Sequence, residues 1–126
     1  MSHDEHHEHL VRELTEQLEP IFSNSPQAIY LYLDDTHKTC NKNFSDMVGY
    51  ASVQEWVENE TSISDVLEED QEKVIEAYGQ ASRDLKASTL SARIVRKDGK
   101  TINCNITMVP LSYQGEIFVL HFITEN

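Results

Sequence analysis

Apolar residues near the start of the chain recur at helical spacing. Val11, Leu14, Leu18 and Ile21 share one face while Glu13, Glu16 and Gln17 take polar positions off it, which predicts a helix over residues 3–19 that ends at Pro20. The period then falls to two. In "QAIYLYLDD", Ile29, Leu31 and Leu33 lie on one side and Tyr30 and Tyr32 on the other, so this strand is apolar on both faces and is expected to be covered on both. "DDTHK" reads as a turn, and Thr39 to Asn41 opens a second strand. In "CNKNFSDMVGY" that strand reaches Asn41, and a one-turn helix then carries Phe44, Met47 and Val48 before Gly49. Asn41 is expected to bond backbone groups where strand pairing stops, and Gly49 to adopt the left-handed conformation that ends the turn.

Short helical pieces continue through the middle of the chain. Ser52 and Glu55 form a capping box that predicts a helix through Trp56 and Val57, and Ile63, Val66 and Leu67 suggest one further turn. Asp70 reads as the N-cap of a longer helix that buries Val74, Tyr78, Ala81 and Leu85. From Thr89 the period returns to two. Leu90, Ala92 and Ile94 alternate with polar residues, Asp98-Gly99 marks a tight turn, and Ile102, Cys104, Ile106 and Met108 alternate on the way back. "SYQGE" is another turn, and "IFVLHFIT", apolar on both sides, suits a central strand. Five strands with a helical insertion between the second and third exclude a doubly wound parallel sheet. The fold class is α+β with one antiparallel sheet.

Composition narrows the functional range. A chain of 126 residues with 39% hydrophobic residues fits one domain around one core, and its apolar runs are too short to span a bilayer. The charged start leads into no signal-peptide apolar region, so a cytoplasmic location is expected. The net charge of -12 opposes phosphate backbones and anionic lipid, which argues against nucleic acid and membrane as partners. Residues 46–72 contain no Lys or Arg, whereas Arg93, Arg96, Lys97 and Lys100 form a basic strip. Cys40 and Cys104 lack the spacing of a zinc site or redox pair, and both read as small buried residues.

The order of elements and four motifs resemble the PAS domain family over about residues 21–124. "NSPQAIYLYLDD" is similar to that family's first strand, "CNKNFSDMVGY" to the strand that ends on Asn before a short helix and Gly-Tyr, and "VLEEDQEKV" to the acidic entry into its long helix. "RIVRKDGKTINCNITMVPL" resembles its third and fourth strands. The resemblance implies a PAS-like fold with sheet order 2-1-5-4-3 and short helices on one face. Residues 1–20 would then be an N-terminal cap and dimerisation helix, and residues 21–126 the domain. In that order Cys40 and Cys104 sit three strands apart, about 14 Å at the usual strand spacing. Disulfide-bonded Cα atoms stay within about 7 Å, so no bond between them is expected.

The resemblance also implies a sensory or interaction module and not an enzyme. Cys40 and His37 lie three residues apart with no third group to complete a catalytic set. Haem, flavin and a covalently attached chromophore are disfavoured. The long helix "QEKVIEAYGQASRDL" has no His, the Asn-Cys-Arg-Phe motif of light-oxygen-voltage flavin sensors is missing, and no Cys follows that helix before Thr89. A small-molecule ligand would occupy a pocket lined by Tyr78, Ile94, Cys104, Ile106, Met108, Leu120 and Phe122, with Ile29, Leu31, Val74, Leu90 and Ala92 beside them on the inferred inner face. Tyr78 and Cys104 offer its polar handles.

A homodimer is expected through Val11, Leu14, Leu18 and Ile21 of the first helix and an outer sheet face holding Tyr30, Tyr32, Val119 and His121. No dedicated metal site is assigned. His3 and His7, at i, i+4 spacing within "HDEHHEH", are the only weak candidates, for a metal-responsive role. The sequence carries no kinase, nucleotide-binding or DNA-binding segment, so its output is expected to lie in a downstream signalling protein or in a part of the native protein outside this sequence.

Overall fold

The computed structural model describes the chain from His3 to Asn126, with side chains from Glu5 onward. Helix α1 (His3–Asn24) leads into strands β1 (Ala28–Asp34) and β2 (His37–Cys40). Helices α2 (Lys42–Met47) and α3 (Val53–Val57), a 3-10 turn (Ser62–Asp65) and the long helix α4 (Glu68–Asp84) follow. Strands β3 (Ser88–Val95), β4 (Thr101–Tyr113) and β5 (Glu116–Glu125) complete the chain. All pairings are antiparallel, in the order β2-β1-β5-β4-β3, so the last strand occupies the centre. That is the sheet order expected from the resemblance.

Helix α1 runs past Pro20 to Asn24, four residues beyond its expected end. Proline removes only the hydrogen bond that its own nitrogen would make one turn back, and an amphipathic helix can continue when its far side remains useful for packing. Here the continuation brings Phe22 against the sheet, alongside Leu18. Helix α4 likewise begins earlier than expected. Leu67 is its N-cap, without a side-chain cap bond, and Asp70 lies inside the first turn with its carboxylate turned to β3. The Ser52 cap of α3 is as the capping box predicted, with Ser52 Oγ accepting from the Glu55 N–H at 3.1 Å.

Two apolar layers sandwich the sheet. The larger lies beneath α2, α3 and α4 and includes Phe44, Val48, Trp56, Val74, Ile94, Cys104, Ile106, Met108, Val119 and Ile123. The smaller lies on the opposite face, where Leu10 and Leu14 of α1 cover Leu31 and Phe118, with Leu33, Leu111 and Leu120 at its margin. This corrects the faces assigned to β1 and β5. Tyr30, Tyr32, Val119 and His121 face the short helices, whereas Leu31 and Leu120 lie under α1. Ile29 pairs with Phe122 in the register and shares that outer side by alternation. In a strand apolar on both sides, period-two alternation separates two faces without saying which meets which layer.

The junction between β2 and α2 is closed by one side chain. Asn41 Oδ1 accepts from the Ile29 and Phe44 N–H groups, each at 3.0 Å, and Nδ2 donates to the Gln27 carbonyl at 2.9 Å. Gly49 then takes φ +83°, and a Cβ there would meet the Lys97 nitrogen at 3.2 Å. Both features follow the expectation from "CNKNFSDMVGY".

Asp70 ties α4 to β3 through three charge-assisted bonds. Its Oδ2 accepts from Arg93 N at 2.8 Å and Nε at 2.9 Å, and its Oδ1 accepts from an Arg93 terminal nitrogen at 2.9 Å. These bonds hold the Asp70 carboxyl well below the usual carboxylate range. The folded state therefore binds fewer protons here than the unfolded chain, so Asp70 contributes stability above the ordinary carboxylate pKa and loses it as pH falls toward its own. Asp70→Asn is expected to lower the urea midpoint at pH 7 and to flatten its decline between pH 5 and pH 2, since the variant has no such proton to take up. A midpoint that falls as steeply with acid as in the parent chain would overturn this assignment.

Candidate functional site

A cavity of about 120 Å³ opens between the β1–β5 part of the sheet, α4 and the 3-10 turn. Tyr30, Tyr32 and His121 form its floor, Val74, Ile75 and Tyr78 of α4 one wall, and Asp35, Ser62, Ile63 and Val66 its rim. The floor is a stack of rings. Tyr30 lies over His121 with centroids 3.9 Å apart and planes 11° from parallel, and Tyr78 is nearly parallel to His121 at 6.5 Å and 13°. Tyr32 meets Tyr78 edge-on at 5.2 Å. Trp56 and Phe44 hold Tyr30 from behind, with centroids at 5.2 Å and 4.7 Å.

The polar groups differ in how they are satisfied. Tyr78 donates to the Leu33 carbonyl at 3.1 Å, and Asp35 Oδ1 accepts from the Tyr32 hydroxyl at 2.9 Å and the Ser62 N–H at 3.3 Å. Ser62 Oγ is buried and has no hydrogen-bond partner among the described residues. Burial lowers the His121 pKa from 6.5 to about 3, so the ring is neutral, with Nδ1 donating to the Val119 carbonyl at 3.1 Å. Burial raises the Tyr78 hydroxyl to about 12, and that of Tyr30 further still. The cavity is thus a neutral aromatic chamber with one carboxylate at its rim.

Behind the floor lies a buried polar cluster. Asp65 accepts from the Tyr50 hydroxyl at 2.8 Å and from Trp56 Nε1 at 3.1 Å, and burial raises its pKa. Lys38, only 3% exposed, donates to the Asp35 and Asn59 carbonyls and sits 5.2 Å from the Trp56 ring. These bonds fix the rim loops against the sheet.

The expected pocket set is divided by the structure. Tyr78 and Val74 line the cavity. Ile94, Cys104, Ile106 and Met108 share the helix-covered face but are packed into the core, and Leu120 and Phe122 belong to the opposite side. Cys104 also borders a wider hollow of about 350 Å³ beside Asp70 and Arg93. That hollow is shallow and edged by an ion pair already formed, which makes it a poorer site. Burial raises the Cys40 and Cys104 thiols to about 12 and about 11, and both cysteines are free.

The residues expected at a dimer interface also separate. Val119 and His121 are 0% and 2% exposed beneath the chain's own helices, and Leu14 is 3% exposed against the chain's own sheet. Val11 and Leu18 are partly buried in the same layer, while Ile21 is 46% exposed. Sequence reasoning placed Tyr30, Tyr32 and His121 together on one face but on the wrong side of the sheet, and it missed Asp35 and Ser62. A signal was present. In a strand with two apolar faces, the face carrying Tyr, Tyr and His is the one that needs hydrogen-bonding company, and irregular loops supply that more readily than an apolar helix stripe.

Of the two weak metal candidates, the side chain of His3 lies outside the described residues. His7 is buried near Asp34, His37 and Glu116. Among the described residues no helix is long and apolar enough to cross a membrane.

Comparison with known proteins bears on this architecture. The model of the PAS fold matches residues 37–123, most of the chain. This chain belongs to the PAS family. No curated protein matches it. Among solved structures, the PAS domain of an HTR-like protein from Haloarcula marismortui is similar at 23% identity and TM-score 0.67, covering 92% of this chain and 94% of that one. A PAS domain from a two-component sensor histidine kinase is similar at 17% identity and TM-score 0.66, over 91% and 99%. The LOV protein of Rhodobacter sphaeroides is similar at 16% identity and TM-score 0.71, over 90% and 67%. These likenesses establish the fold. PAS domains are sensory modules of signal-transduction proteins and are generally not catalytic.

Proposed function

We propose that this PAS domain senses a small, uncharged planar molecule held in the aromatic cavity, and that it reports occupancy to a partner protein through α1. The observation that carries this reading is the cavity of about 120 Å³ walled by Tyr30, Tyr32, Tyr78 and His121, with the Asp35 carboxylate at its rim. The size is also suitable. An apolar cavity of ~150 Å³ takes up benzene, so about 120 Å³ with an open mouth admits a single ring. Tyr30, His121 and Tyr78, whose ring planes are nearly parallel, all line the cavity, which suits a flat molecule.

The route to α1 runs through β1 and β5. Tyr30 and His121 face the cavity, and their neighbours Leu31 and Leu120 face α1, so a shift of these strands that accommodates a ligand also alters the surface on which α1 rests. Native mass spectrometry of the purified chain tests the reading. A retained mass that disappears on denaturation is expected, and Val74→Phe, which fills the chamber from α4, should abolish it while leaving the fold intact. A mass retained equally by Val74→Phe would place the ligand elsewhere. If no member of a set of single-ring heterocycles shifts the resonances of the cavity residues, the sensor reading fails.

A homodimer is a second reading, supported by one observation. Ile21 of α1 is 46% exposed, and Leu120 and Phe122 of the outer sheet face are only partly buried. The association would use these residues and leave Tyr30, Tyr32, Val119 and His121 inside each subunit.

A further inference from the structure

We propose that His7, Asp34 and His37 form a binding site for a divalent cation of the zinc type, which latches α1 to the β1–β2 hairpin. The three residues come from separate parts of the fold: the second turn of α1, the end of β1 and the start of β2. One ligand atom from each lies within 4.8 Å of the others. Tetrahedral bonds of 2.0–2.1 Å put donor atoms about 3.4 Å apart, so side-chain adjustments of an ångström or so complete the set.

The bonding directions already suit a metal. Asp34 divides its oxygens between the two imidazoles, with Oδ1 at 2.7 Å from His37 Nδ1 and Oδ2 at 3.9 Å from His7 Nδ1. His7 Nε2 lies 3.1 Å from Glu116 Oε1. With Nε2–H donating to Glu116, Nδ1 turns its lone pair toward Asp34. That is the carboxylate–imidazole–metal arrangement in which an outer carboxylate fixes tautomer and ring angle. The cation takes the place of the hydrogen between His37 and Asp34.

Charge and burial also suit a dication. His7 and His37 are each 6% exposed, with ring centroids 5.2 Å apart and planes at 82°. One dication would balance the Asp34 and Glu116 carboxylates that face the two rings. Two nitrogens and one oxygen suit zinc, and also cobalt, nickel or copper, while magnesium and calcium prefer all-oxygen sets. The Asp34 side chain is 44% exposed, which gives the ion a path to solvent and leaves room for water as a fourth ligand.

The consequence is mechanical. A cation bound only when α1 is docked stabilises the docked state by mass action. The hairpin that holds it also borders the aromatic cavity, because Asp34 faces the cation site while Asp35 accepts from Tyr32 and Ser62 at the rim. The site stands whether or not that cavity takes a ligand.

Calorimetric titration of the chelator-treated full chain with Zn²⁺, and visible spectroscopy with Co²⁺, test the proposal. One ion per chain at micromolar affinity or tighter is expected. His7→Gln, His37→Gln and Asp34→Asn should each weaken binding at least tenfold, and Glu116→Gln should weaken it less. A chain with His3→Gln, His6→Gln and His9→Gln together should bind like the parent. Binding that survives His7→Gln and His37→Gln, or that is lost in the triple variant, would assign the ion to the other histidines of α1 and overturn the proposal. Should the histidine variants lose their fold, Asp34→Asn, at an exposed side chain, decides. Zn²⁺ is further expected to slow amide exchange across α1 in the parent chain but not in Asp34→Asn. Unchanged exchange in a chain that binds the ion would remove the latch.

Discussion

Asn41→Ala is expected to destabilise the chain by about 3 kcal/mol and to lower its Tm by roughly 12 °C, at about 4 °C per kcal/mol for a domain of this size. The magnitude follows from what one side chain satisfies. Its removal leaves the Ile29 and Phe44 N–H groups without partners in the interior and frees the partly buried Gln27 carbonyl, and Asn41 is only 5% exposed. Each orphaned buried group costs about 1–3 kcal/mol, of which the lost helix cap is about 1 kcal/mol. Asn41→Asp separates the contributions. It keeps the acceptor for both N–H groups but sets an oxygen against the Gln27 carbonyl, so it should recover little of the loss. Thermal melts of the three proteins at pH 7 check this. An Asn41→Ala chain within 1 kcal/mol of the parent would mean that water replaces the amide, and the strand-to-helix junction would then be held by apolar packing around Phe44.

The junction was legible because its chemistry is local. Asn41, Phe44 and Gly49 lie within nine residues, and each has a backbone reason to be where it is. The β3–β4 hairpin was equally legible, since only one of its faces is apolar and Gly99 supplies the positive φ of its turn. The central strands were not. β1 and β5 carry large apolar residues on both faces, so alternation gave two consistent sets without saying which of them α1 covers. Within the expected cavity set, Leu120 and Phe122 were misplaced for the same reason, whereas Tyr78 lines the cavity, whose volume depends on how Tyr30, Tyr78 and His121 stack. The metal site shows a stricter limit. His7 meets Asp34 and His37 only because α1 docks across the hairpin, and the i, i+4 spacing of His3 and His7 pointed along the helix instead of across it.

Leu14→Glu is expected to release α1 while the rest of the domain stays folded. Leu14 is 3% exposed between α1 and the outer face, where it packs in one cluster with Leu10, Leu31 and Phe118. Exchanging it for Glu removes a buried leucine, worth about 2–5 kcal/mol, and requires a carboxylate either to be buried or to leave. The remaining contacts of α1 are smaller or partial: Val11, Leu18 and Phe22 are only partly buried in the same layer, and His7 meets Glu116 at 3.1 Å. Leu10 adds a second fully buried side chain, and the polar ties from Glu13 and Gln17 to the Tyr113 hydroxyl, at 3.2 Å and 3.3 Å, are weak individually. The layer beneath α2, α3 and α4 is separate, so nothing in it is uncovered when α1 leaves. Amide exchange should therefore become fast over residues 5–20 and stay slow in β4, β5 and α4, and limited proteolysis should cut within α1 first. The end of the helix should be retained longest, because Asn41 Nδ2 reaches the Phe22 carbonyl at 3.4 Å. Loss of protection in β5 at the same rate as in α1 would show a single cooperative unit. A helix that cannot part from its sheet without unfolding the domain could not carry a signal, so that outcome would also remove α1 as the output of the sensor.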